Sequence, residues 1–245
     1  MARILVTGST EGVGRATASA LLDAGHEVVV HARTTARVPA VEDLTDRGAG
    51  VVVGDLARLD EVRDLVRQAN DLGRFDAVIH NAGTMDGPAV LPVNVVAPYA
   101  LTAGMMRPGR LVFLSSGMHR GGRADLSGAD WAGSRTTRSY SDSKLFVTTL
   151  MAAVARRWPD TWSHAVDPGW VPTRMGGPGA SDDLDLAHVT QAWLATTDDD
   201  AARRSGRYWF HGHTEDPHPA VHDEAFQDEL LASLAACVGV QLPRG

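Results

Sequence analysis

Ile4-Leu5-Val6 runs without a polar break into Thr7-Gly8-Ser9-Thr10-Glu11-Gly12-Val13-Gly14, and a helical pattern follows at once. Three apolar residues in a row, with no alternation, mark a strand buried on both faces. Val13, Ala16, Ala20, Leu21 and Ala24 then recur at helical spacing, and Gly25 suits the helix end. The glycines between strand and helix have separate physical tasks. Gly8 permits the tight turn, Gly12 lets the backbone approach a pyrophosphate, and Gly14 lets helix lie close on strand. The helix N-terminus offers unpaired N–H groups to phosphates. Gly8, Ser9, Thr10, Glu11, Gly12, Val13 and Gly14 are therefore candidate residues of a dinucleotide site.

The same alternation continues along the chain. Strand-length apolar runs recur at Val28-Val29-Val30, Val51-Val52-Val53, Ala77-Val78-Ile79, Leu111-Val112-Phe113-Leu114 and Ala165-Val166. Helical stripes lie between or after them at Val62–Leu72, Phe146–Arg157 and Phe226–Cys237. Strands alternating with helices predict βαβ units, and so an α/β, Rossmann-like, doubly wound parallel sheet with helices on both faces. No repeat or long linker interrupts residues 1–245, which read as one nucleotide-binding domain. Within it, 174–220 reads as a substrate loop and C-terminal extension. Gly176-Gly177-Pro178-Gly179-Ala180 gives that loop a mobile tip.

Composition narrows the partners. A net charge of −7 disfavours nucleic acid. No apolar run is long enough to cross a bilayer, and the N-terminus enters a strand with no signal-peptide pattern. One cysteine, Cys237, permits no internal disulfide and fits a reducing cytoplasm. His211, His213, His218 and His222 gather with Glu215, Asp216 and Asp223, which a solvated loop explains as well as a metal would; no metal is expected.

The second strand ends His31-Ala32-Arg33. An acid here would hold a ribose 2′-hydroxyl; Ala32 occupies that place, and the guanidinium of Arg33 suits a 2′-phosphate. NADP is therefore expected over NAD, although Glu11 in the loop opposes a phosphate. Asp55-Leu56 and Asn81-Ala82-Gly83 follow the next two strands and are candidates for the adenosine half.

Tyr140 and Lys144 stand at i and i+4, on one helix face. An ammonium beside a phenol lowers the phenol's pKa and makes it a usable acid or base. Ser115-Ser116 ends the fifth strand at the edge where such sheets bind ligands, and Ser115 should point to the other face. Asn94 lies in the helix after the fourth strand.

Taken in order, Thr7–Gly14, Asp55, Asn81–Gly83, Asn94, Ser116, Tyr140-x-x-x-Lys144 and Asp167-Pro168-Gly169-Trp170-Val171-Pro172-Thr173 resemble the short-chain dehydrogenase/reductase family over essentially the whole chain. The segment Gly117–Gly122 followed by Asp125-Leu126 resembles its retinol-dehydrogenase-like branch, which favours Ser116 over Ser127. The resemblance implies a sheet of about seven strands and an oxidoreductase interconverting a carbonyl and an alcohol by hydride transfer. It implies Tyr140 as general acid/base, Lys144 lowering its pKa and binding ribose, Ser116 orienting the substrate oxygen, and Asn94 supporting a proton-relay water. It places Pro168, Gly169, Val171 and Thr173 on the cofactor, and Met118, His119 and Trp170 read as substrate-pocket residues. The spacing around Asn94 is short for the family, which argues against its tetramer and leaves a homodimer open. Two other readings are an NAD-linked nucleotide-sugar epimerase-type enzyme and a non-enzymatic NADP(H)-binding sensor.

Overall fold

In the computed structural model, which describes residues 1–243, β1 (Arg3–Val6) lies at the centre of the sheet. It pairs in parallel with β2 (Glu27–Ala32) on one side and β4 (Ala77–His80) on the other. β3 (Gly50–Val53) lies outside β2, and β5 (Arg110–Leu114), β6 (Trp162–Asp167) and β7 (Arg207–Phe210) continue beyond β4. The order β3-β2-β1-β4-β5-β6-β7 is parallel throughout, and it reverses direction at β1, where a doubly wound sheet opens its ligand crevice.

An eighth strand, β8 (His213–Glu215), pairs antiparallel with β7. The two-residue turn between them is His211-Gly212, both with positive φ, at 45° and 80°. Such a turn matches the twist of a hairpin. The segment expected as a solvated loop thus begins as a sheet edge. Residues 174–220 likewise divide: a loop to residue 188, then α6 (Val189–Thr196), β7 and β8 join the main fold.

Side-chain alternation assigns the layers. Ile4, Val6, Val28, Val30, Ala77, Ile79 and Val112 face α1 (Gly12–Asp23), α2 (Glu42–Asp46) and α6. Leu5, Val29, Val78, Leu111 and Phe113 face the opposite layer. That layer is built from α3 (Leu59–Asp71), α4 (Ala97–Gly104), α5 (Tyr140–Arg157) and α7 (Glu224–Val238). Both faces are buried, which is why the strands read as continuous apolar runs. Among the described residues no helix is long and apolar enough to cross a membrane.

Candidate active site

The glycine loop is shaped by its neighbours as well as by its own backbone. Gly8 has φ +67°, and a Cβ there would lie 2.9 Å from Ala82 Cα. A Cβ at Gly14 would collide with the Asn81 side chain and the Gly8 carbonyl. Asn81 explains why: its Nδ2 donates to Thr7 O at 2.8 Å and Gly8 O at 3.2 Å. Gly14 therefore makes room for an amide that ties the loop to the end of β4. His31 ties it on the other side. Gly8 N donates to His31 Nδ1 at 3.0 Å, so Nε2 carries the proton and donates to Gly54 O at 2.8 Å. Burial lowers the His31 pKa and keeps this neutral form. Ser9 is fully buried, with its hydroxyl turned to Val6 O, so only its backbone can face a cofactor.

At the adenosine end the structure adds a residue. Arg33 stands exposed just after β2 and makes no ion pair among the described residues. Arg37, on the following 3-10 turn, reaches back to Thr10 Oγ1 at 3.1 Å and Glu11 Oε2 at 3.4 Å. Arg174 approaches Glu11 from the other side at 3.9 Å. Glu11, which opposes a phosphate in the sequence reading, is thus partly neutralised by two arginines. Asp55 Oδ1 accepts from Ala57 N at 2.9 Å, a local turn, and the Leu56 side chain packs in the core rather than toward a ligand.

The reactive side chains are set by one helix start. Ser139 accepts from Asp142 N, and Asp142 accepts in return from Ser139 N at 3.0 Å. This capping box begins α5 at Tyr140. Burial works against the Asp142 charge, but backbone N–H bonds from Arg123 and Ser139 win and lower its pKa. Lys144, one turn on, is buried, and its Nζ donates to Leu114 O at 2.7 Å and lies 5.4 Å from the Tyr140 ring centroid. A Cβ at Gly83 would stand 3.6 Å from that Nζ and 3.5 Å from Asn94 Oδ1, so small residues there keep the ammonium accessible.

Asn94 lies in a π-helical turn, Pro92–Val96, that leads into α4. Its Nδ2 donates to Thr84 O and to Ser143 Oγ, both at 2.9 Å, and its Oδ1 accepts from Thr84 N at 2.8 Å. Both amide N–H groups are engaged, so the side chain braces the turn beside Lys144 and does not line the cleft.

Ser116 is close enough to the Tyr140 phenol to act against the rise in its pKa, while Ser115 turns inward to Thr148 at 2.6 Å. Ser127 is exposed and outside the cleft lining. Met118 and Trp170 line the cleft as expected; His119 does not. It is fully buried, with Nδ1 donating to Ser116 O at 2.7 Å and Nε2 accepting from His218 N at 3.1 Å. It holds the serine strand end from behind and is too enclosed to touch a substrate. The electrostatics also differ from expectation. Burial dominates, pushing Tyr140 up to about 12 against the lowering effect of Ser116, and Lys144 down to about 8.

The cleft joins these parts in about 1140 Å³. Gly8–Gly14 and Asn81–Gly83 form one half; Ser116, Tyr140, Lys144 and Asp167–Gly176 form the other. A Cβ at Gly12 would lie 3.4 Å from Thr173 Cγ2, so the two loops meet across it. Among the described residues no group of three or more His, Cys, Asp or Glu gathers as metal ligands.

The family model for short chain dehydrogenase matches residues 2–183. The short-chain dehydrogenase chyC of Penicillium rubens is 36% identical over 99% of this chain and 100% of its own. Human retinol dehydrogenase 13 is 25% identical over 98% of this chain and 85% of its own. The Pseudomonas aeruginosa RhlG/NADP complex superposes with a TM-score of 0.69 at 21% identity, covering 85% of this chain and 94% of that one. With a family match across most of its length on a doubly wound sheet, the chain belongs to the short-chain dehydrogenases and is an NAD(P)-dependent oxidoreductase with retinol-dehydrogenase-like relatives.

Proposed function

We propose that the protein interconverts a carbonyl and an alcohol with NADP(H), using Ser116, Tyr140 and Lys144. The observation that carries this is the meeting of the three side chains in one cleft with the glycine loop and the Pro168–Thr173 turn. The donor set fits a dinucleotide: positive-φ glycines at Gly8 and Gly12, backbone N–H groups at the start of α1, and Thr173 facing Gly12. Arg33 and Arg37 favour a 2′-phosphate, and the NADP complex of the similar RhlG fold supports the same choice. Retinol, in the name of a relative, is an alcohol of the proposed class.

The cofactor supplies or accepts the hydride. In the reducing direction Ser116 and Tyr140 hold the carbonyl oxygen, and Tyr140 gives it the phenolic proton. With Tyr140 pushed up to about 12, the phenol remains a proton donor throughout the neutral range. Lys144 brings a positive charge to the developing oxyanion and would bind ribose through its ammonium. Preorganised donors in a dry cleft are the main source of such stabilisation.

The test is NADPH oxidation with a panel of aldehydes and ketones, for wild type, Tyr140→Phe, Ser116→Ala and Ser127→Ala. Turnover should fall by ~10²-fold or more in Tyr140→Phe with NADPH affinity retained. Ser116→Ala should be impaired and Ser127→Ala should not. NADPH binding without turnover of any carbonyl would favour the sensor reading.

A further inference from the structure

Asp167 ends β6 and lines the cleft, only 9% exposed, yet the proposed chemistry gives it no task. Its Oδ1 accepts from Gly169 N at 2.9 Å and its Oδ2 from the Tyr208 hydroxyl at 3.0 Å. Burial and the neighbouring carboxylate push the Tyr208 pKa up, so that phenol stays a donor. A carboxylate has about four lone-pair positions, so acceptor capacity remains after these two bonds. The carboxylate also lies against the backbone that carries Ser116: a Cβ on Gly117 would stand 3.1 Å from Oδ2. An acceptor-only group therefore lies against the residue that follows the serine proposed to hold the reacting oxygen.

Left uncovered, this charge supports the Lys144 ammonium but works against the oxyanion. It opposes negative charge on the substrate oxygen, as it opposes ionisation of Tyr140. A substrate donor placed on the carboxylate relieves that opposition and satisfies a desolvated acceptor. Much of the mouth on this side is apolar and open, with Arg174 and Asp182 as charged residues of the same lining. Met85, Met118, Trp170 and Met175 all line it and are 41%, 50%, 56% and 42% exposed.

We infer that Asp167 is a specificity-determining residue that accepts a hydrogen bond from a substrate hydroxyl close to the reacting carbonyl. The substrate class is then an α-hydroxy ketone on a broad apolar body, or the corresponding diol. This rests on the carbonyl–alcohol reading above.

The test uses a naphthyl hydroxymethyl ketone and its methyl ether, which differ in the donor and little in carbonyl reactivity. Each is measured for kcat/KM with NADPH and for equilibrium binding with NADP⁺ present, in wild type, Asp167→Asn and Tyr208→Phe. Wild type should favour the hydroxy ketone by roughly tenfold or more in both readouts, the scale of a hydrogen bond to a charged group. Asp167→Asn should reduce the preference to within about threefold, the neutral-acceptor scale, with NADPH affinity unchanged. Tyr208→Phe keeps the carboxylate and should keep the preference. Equal or undetectable binding of both ketones by wild type overturns the inference, and this arm decides alone where Asp167→Asn does not fold. Full preference surviving in a folded Asp167→Asn variant overturns it as well. Binding preference without turnover refutes the carbonyl–alcohol reading while the recognition role stands; turnover of both ketones at equal efficiency does the reverse.

Discussion

Two arginines and one lysine carry the sharpest consequences. Arg37 shares Glu11 with Arg174, so its guanidinium is held at the glycine loop, while Arg33 is exposed and makes no ion pair among the described residues. Arg33→Ala and Arg37→Ala should each weaken NADPH by ~10-fold or more, since a charge-assisted hydrogen bond contributes about 1.5–3 kcal/mol. NADH affinity should hardly move, and Glu11→Gln should tighten NADPH. A wild type that binds NADH more tightly than NADPH would sink this assignment. Arg33 was visible in the sequence because it directly follows a strand. Arg37 was not, because a 3-10 turn, not a pattern, returns it to the loop. Burial pushes the Lys144 ammonium down to about 8, more than the Asp167 charge restores it. It is charged below that pH and neutral above it, whereas Tyr140 keeps its proton throughout. Reductive kcat/KM should therefore fall above about pH 8. In Lys144→Arg the remaining activity should lose that limb, because a guanidinium stays charged. A limb unmoved in Lys144→Arg would assign the ionisation to another group.

Elements differed in how well they announced themselves. β1 through β6 were legible because burial on both faces leaves a run of apolar residues with no alternation. β7 reads Arg207-Tyr208-Trp209-Phe210, and its large aromatics pass equally for a packed loop; only pairing with β6 makes it a strand. His119 misled for a related reason. Next to a candidate site a histidine suggests contact with substrate, but both its nitrogens are used to fix Ser116 and His218. The loop after β6 is the element with a dynamic prediction. Trp170 holds its stem, donating its indole N–H to Gly176 O at 2.9 Å and its backbone N–H to Asp182 Oδ2 at 2.7 Å. Its tip is open: a Cβ at Gly177 or Gly179 would meet nothing within 4 Å. Residues 174–182 should exchange amide hydrogen fastest among internal segments without cofactor, and slow when NADPH is added. Mobile active-site loops close in this way to exclude water. Protection that is equal and high in both states would make the segment a fixed wall.

The whole molecule carries two further expectations, one from its buried histidines and one from its last helix. Burial lowers His80 to about 3 and His164 to about 4. The unfolded chain binds these protons from about pH 6.5 downward while the folded one does not, so stability must fall as pH drops below that value. Between pH 7 and pH 5 each histidine should remove about 2 kcal/mol, which urea melts at the two pH values would register. Stability that is flat across that interval would contradict the buried, neutral state of both rings. The last helix bears on assembly. α7 lies on α5, where Leu145 through Val154 are all buried within one chain. Phe226 meets Phe146 in a tilted ring pair at 6.1 Å, and Arg156 pairs with Glu224 and Asp228. Beyond α7 the chain stays down: Tyr99 donates to Val240 O at 2.9 Å, and Trp158 Nε1 donates to Pro243 O at 2.6 Å. The outer face of α4 and α5 is therefore covered by the chain's own C-terminal segment, and a second copy cannot pack its apolar residues there. Sedimentation should give a monomer of 26.0 kDa at micromolar concentration. Truncation before Glu224 should expose Phe146 and Leu150 and produce association or precipitation. A stable full-length dimer abolished by substitutions on α5 would show that α7 leaves this face in solution.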